Sequence, residues 1–130
     1  MKKISLSIWL ILVFTMTCGA QSSKEKVSTQ ESAKPKVTFI ELGSVNCIPC
    51  KAMQPVMKAI EEKYGNQVKV VFYDVWTKEQ RHYAERYKIK LIPTQVFLDE
   101  NGKEFHRHEG FYPENEIDKV LQSKGLKVKK

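Results

Sequence analysis

Cys47 and Cys50 are the residues of this chain whose type and spacing best suit chemistry. Only Ile48 and Pro49 separate them. At the start of a helix, two intervening residues bring the second sulfur, inside the first turn, within disulfide reach of the first. A thiolate attacks a disulfide sulfur, so such a pair can exchange with another disulfide. The pair could also ligate a metal together with a histidine. His106 and His108 alternate along one predicted strand and share a face. Their H-x-H spacing does not match the usual zinc pattern, so they read as solvated side chains and no metal is expected.

The cysteines need a helix that begins at Cys47. Val37-Thr38-Phe39-Ile40-Glu41-Leu42 reads as a buried strand, and residues 43–46 as a loop. After Cys47 the apolar positions Met53, Val56, Met57, Ile60 and Tyr64 fall on one face of a 3.6-residue period. Pro55 is expected to kink this helix and Gly65-Asn66 to end it. Unpaired N–H groups and the helix dipole favour an anion at Cys47. In such sites a cysteine pKa falls from about 8.5 to about 7 or below.

The remaining pattern supplies the frame. Residues 68–74 read as a second strand. Thr77 can cap a second helix, with Gln80, Tyr83, Ala84 and Tyr87 along one side and His82 on its surface. Residues 94–99 form a third strand, Asn101-Gly102 a hairpin turn, and residues 103–109 an antiparallel fourth strand. Pro113 opens a last helix with Ile117, Val120 and Leu121 buried. The order β-α-β-α-β-β-α predicts an α/β fold: a four-stranded mixed sheet with helices on both faces. Strands separated by helices are expected to be parallel, with one antiparallel edge from the hairpin. Trp76, Phe111 and Tyr112 follow strand ends and read as packing residues. Phe111 and Tyr112 are also candidates to border a groove beside Gly110.

The amino terminus has a different character. Lys2 and Lys3 precede an uncharged apolar run that closes on Cys18-Gly19-Ala20. This layout predicts a secretory or lipoprotein signal over residues 1–20. Cys18 is then either removed with the signal or capped by lipid, which would tether the protein to a membrane. Residues 21–35 are polar and read as a flexible tether, which leaves a domain over 36–130. The formal charge is +7, but its lysines are scattered and no aromatic residues interleave with a basic stripe. Nucleic acid is therefore not an expected partner.

Taken together, Val37 to Gly125 resembles the thioredoxin family. The matching features are Cys47-Ile48-Pro49-Cys50-Lys51 after a strand, Pro55, Ile92-Pro93-Thr94 before the third strand, the Asn-Gly hairpin and Gly110. The resemblance implies a thioredoxin-like fold in which Cys47 attacks and Cys50 resolves. It also implies a cis peptide before Pro93, with Ile92, Pro93, Thr94 and Gly110 at the substrate. Glu41 stands where the family has a buried Asp and would act as general base. No cofactor is implied beyond the redox-active Cys47–Cys50 disulfide. Asn46 and Gly43 replace the usual tryptophans, and Ile48 the usual glycine.

The expected function is an exported thiol-disulfide oxidoreductase, periplasmic or membrane-tethered, acting as a monomer. Ile92 before Pro93 resembles reducing members. The substrates would be protein disulfides, and electrons would come from a membrane protein with its own cysteine pair. The rival readings are a non-catalytic binding module of the same fold and a metal chaperone using Cys47 and Cys50.

Overall fold

The computed structural model describes residues 34–130. The predicted signal, the lipidation candidate Cys18 and nearly all of the predicted tether lie outside the described residues. The elements are β1 (Val37–Gly43), α1 (Ile48–Tyr64), a short turn of tight helix at Gly65–Gln67, β2 (Val68–Asp74), α2 (His82–Arg86), β3 (Thr94–Asp99), β4 (Glu104–Glu109) and α3 (Glu114–Ser123).

The sheet runs in the order β2-β1-β3-β4. β1 lies parallel to β2 and antiparallel to β3, and β3 is antiparallel to β4. The sheet is mixed, as expected, but β3 does not run parallel to its neighbour. The connection from β2 explains this. A seven-residue strand spans about 23 Å, whereas α2, with five residues, rises only about 7.5 Å. The chain therefore re-enters the sheet at the end where β2 left it.

α2 is also shorter than the sequence suggests. Thr77 behaves as a cap, its Oγ1 accepting from the Gln80 N–H at 3.3 Å. The following bonds are tight, with Tyr83 N–H to the Gln80 carbonyl and Ala84 N–H to the Arg81 carbonyl at 3.0 Å each. Residues 77–81 consequently wind as turns before one short helix forms.

β1 is one of the two interior strands and is buried almost throughout. On one face Val37 and Phe39 meet α1 and α3, with Met53, Met57, Ile60, Tyr64, Ile117 and Leu121. Phe39 stacks on Phe97 of β3 at 4.8 Å. On the other face Ile40, Leu42, Val75 and Val96 pack beneath Tyr73, Tyr83 and Tyr87. Lys63 of α1 pairs with Glu114 and, at 2.7 Å, with Asp118 of α3, which fixes how the two helices lie on the sheet.

Replacing Phe97 with Ala should lower stability by about 3–5 kcal/mol in urea denaturation. Val128→Ala, at a residue 47% exposed, should stay within about 0.5 kcal/mol of the parent.

Candidate active site

β1 ends at Gly43, and four residues later α1 begins with Cys47 as its N-cap. Cys47 has extended backbone angles, and no side chain caps the helix. The first turn holds no acidic residue. The helix dipole at Cys47 is thus uncompensated by local negative charge.

The loop between strand and helix is tied down by polar contacts. The Ser44 carbonyl accepts from the Cys47 N–H at 3.2 Å, and Ser44 Oγ accepts from the Asn46 N–H at 3.2 Å. Asp74, at the end of β2, clamps two loops together. Its Oδ2 accepts from the Val45 N–H at 3.2 Å and its Oδ1 from the Trp76 N–H at 3.1 Å.

Cys47 and Cys50 are joined as a disulfide with their Cα atoms 5.2 Å apart. Cys47 keeps 8% exposure whereas Cys50 is wholly buried, so the first cysteine is the nearer of the two to solvent. Cys50 packs directly over Gly43. A Cβ there would lie 3.1 Å from the Cys50 Cβ and 3.2 Å from its Sγ. Glycine at this position is therefore what lets the second cysteine settle onto the strand.

Ile92–Pro93 is a cis peptide bond, as the resemblance implied. Thr94 pairs with Leu42, so the register carries Pro93 alongside Gly43 and the cysteine packed on it. The Pro93 carbonyl accepts from the Gly110 N–H at 2.8 Å, and Thr94 Oγ1 donates to the Leu91 carbonyl at 2.7 Å. Among the described residues, the Ile92 backbone groups bond to no other backbone group. Gly110 has a φ of +92°, a conformation that glycine adopts without penalty.

Glu41 is fully buried. Burial pushes its carboxyl up to about 8, a rise that the hydrogen bond from Gln95 partly offsets. Gln95 Nε2 donates to Glu41 Oε2 at 3.0 Å and to the Gly110 carbonyl at 3.1 Å. Glu41 Oε1 has no hydrogen-bond partner.

The histidines are not freely solvated. His106 Nε2 lies 3.0 Å from the Tyr112 hydroxyl, and His108 stacks on the Tyr112 ring at 3.9 Å. Burial, with a smaller contribution from His108, holds His106 below the usual histidine range. Among the described residues no group of three or more metal-ligating side chains comes together. Trp76 and Phe111 are not packing residues: they are 62% and 46% exposed. Ile48 is exposed as well, whereas Tyr112 is buried.

Ser44, Asp74 and Gln95 are the site residues that reading the sequence missed. An amide directly before the apolar Val96-Phe97-Leu98 run of β3 was the available signal for Gln95.

The sequence matches the thioredoxin-like domain family over residues 22–125. The chain belongs to that family. The match begins inside the segment read as a tether. Thioredoxin Y, chloroplastic, of Oryza sativa subsp. japonica is 32% identical over 112 residues, covering 82% of this chain and 64% of that protein. Thioredoxin-1 of Drosophila melanogaster is 35% identical over 73 residues, covering 56% of this chain and 66% of that protein. The chain thus spans just under two thirds of the length of both relatives. In three dimensions this thioredoxin-like chain is similar to the crystal structure of Malassezia sympodialis thioredoxin. The TM-score is 0.58 at 30% identity, over 68% of this chain and 76% of that one.

The raised carboxyl of Glu41 makes stability depend on pH. Between about 4.5, its ordinary value, and about 8 the unfolded chain releases this proton while the folded one keeps it. Its contribution is full below 4.5 and is lost as pH rises through that window. The slope approaches about 1.4 kcal/mol per pH unit. Denaturation across this range should show the loss, and Glu41→Gln should flatten it.

Proposed function

We propose that this protein is a thiol-disulfide oxidoreductase that reduces protein disulfides through Cys47 and Cys50. The observation that carries the reading is the asymmetry of the pair: Cys47 caps a helix and keeps slight exposure, while Cys50 is wholly buried over Gly43.

Cys47, as a thiolate, attacks one sulfur of a substrate disulfide. The substrate S–S bond breaks, one substrate thiolate leaves, and a mixed disulfide forms on Cys47. Cys50 then gives its proton to the Glu41 carboxylate and attacks the Cys47 sulfur. The bond to substrate breaks, the second substrate thiolate departs, and the Cys47–Cys50 disulfide remains. Two electrons have passed from the dithiol to the substrate. The disulfide is the state seen here, and returning it to the dithiol requires a two-electron thiol donor, for which a membrane protein with its own cysteine pair is the candidate.

The surface around Cys47 suits an extended polypeptide. Ile48, between the two cysteines at the start of α1, is an exposed apolar side chain, as are Val45, Trp76, Leu91 and Phe111 on the loops after β1 and β2, before β3 and after β4. Such a cluster marks a contact surface rather than ordinary exterior. The backbone of Ile92 is free to pair with an extended strand. Ile92 before Pro93 supports the reducing direction by resemblance. The amino-terminal sequence supports export, with Cys18 as the site of a lipid tether if the signal is processed that way.

With dithiothreitol as donor, the protein should reduce insulin. Cys47→Ser should abolish turnover, and Cys50→Ser should accumulate mixed disulfides through Cys47, visible as adducts that a reductant removes. No turnover by the parent, or no trapped adduct, would contradict the assignment. Titration against glutathione should place the pair near about −270 mV, the reducing end of the range, rather than about −120 mV.

A further inference from the structure

One row of side chains crosses the sheet beneath the cysteines. Phe72 of β2 pairs with Glu41, Glu41 with Gln95, and Gln95 with His108 of β4. Paired residues share a face, so Gln95 stands between the buried carboxyl and the far edge. It is wholly buried, in a strand whose neighbouring positions Val96 and Phe97 are apolar. An amide buried this deeply costs stability unless its polar atoms are satisfied. Both hydrogens of its Nε2 are used, one on Glu41 Oε2 and one on the Gly110 carbonyl. Its Oε1 has no partner.

We propose that Gln95 is a positioning residue: its amide holds Glu41 by one oxygen, leaves the other free to take the Cys50 proton, and ties that carboxyl to the Gly110 loop. This rests on the proposed role of Glu41. Gly43, against which Cys50 packs, is the next residue after Glu41 on the same face of β1. Held by Oε2, the carboxyl cannot turn away. The free Oε1 accepts the proton from Cys50 Sγ, either directly or through one water. The Cys50 thiolate then bonds to Cys47 Sγ as the substrate thiolate leaves.

Other titratable groups on this face are engaged elsewhere. Asp74 accepts from the Val45 and Trp76 N–H groups. His106 bonds to the Tyr112 hydroxyl, and His108 Nε2 lies 3.2 Å from the Phe111 carbonyl. Cys47 and Cys50 are the pair itself. Lys63 pairs with both Glu114 and Asp118, and the Tyr64 hydroxyl donates to Asp118, where α1 meets α3. Gln95 is the one side chain hydrogen-bonded to Glu41 among the described residues. Its donation favours the carboxylate, so its loss moves proton uptake to higher pH.

The test follows a single turnover of the reduced protein with a disulfide-linked reporter peptide dimer, across pH. The first thiol released reports Cys47 attack, and the second reports resolution by Cys50. Gln95→Leu should raise the pH midpoint of the second phase by about one unit, slow it about tenfold at pH 7, and leave the first phase unchanged. Gln95→Met should behave alike and serves if the leucine variant does not fold. In a Glu41→Gln background, Gln95→Leu should have no further effect on the second phase. Equal slowing of both phases, or an undiminished effect in that background, would reduce Gln95 to a structural role and overturn the proposal while sparing Glu41. A second phase indifferent to Glu41→Gln would overturn both assignments.

Discussion

The structure turns on one junction: the carboxyl end of β1 runs into the amino end of α1, and the two cysteines occupy the corner. Cys47 takes the N-cap position, where unpaired N–H groups and the helix dipole favour a sulfur anion. Cys50 rests over Gly43, where no side chain stands in its way. The contacts of Ser44 and Asp74 hold the intervening loop so that the corner does not open. The rest of the domain maintains this alignment. The Phe39–Phe97 stack and the aliphatic side chains of α1 and α3 keep the helix on the sheet.

A buried carboxyl beside this corner is a cost that packing alone would avoid. Even with the Gln95 hydrogen bond, burial holds the Glu41 carboxyl up to about 8, and a neutral carboxyl cannot take a proton from a thiol. The amide of Gln95 and the burial of Glu41 therefore act in opposite directions. Burial holds the proton on and the hydrogen bond eases it off, which keeps the group close to the pH at which proton transfer is useful. The second hydrogen of the same amide reaches the Gly110 carbonyl. One side chain thereby links the buried carboxyl, the proton acceptor of the proposed function, to the Gly110 loop, its substrate groove.

Much of this was legible in the sequence because it depends on local signals. The period of Met53, Met57, Ile60 and Tyr64, the Asn101-Gly102 turn and the Cys47-Ile48-Pro49-Cys50 spacing each act over a few residues and survive intact in the fold. What was not legible depends on partners distant in sequence. The direction of β3 follows from how little ground α2 covers, which the capping signal at Thr77 does not reveal. Gln95 acquires its role only because register places it opposite Glu41. Asp74 acts because two loops converge on it. Trp76 and Phe111 looked like core residues because aromatic side chains usually are, yet the loops that carry them lie at the rim of the site.

The central claim is that the helix start holds Cys47 as a thiolate. The direct test is a pH titration of thiolate absorbance in the reduced protein, assigned by comparison with Cys47→Ser and Cys50→Ser. The account predicts that Cys47 ionises at about 7 or below. If Cys47 ionised near the free-cysteine value of about 8.5, or above it, the helix terminus would not be activating the sulfur and the account would fail.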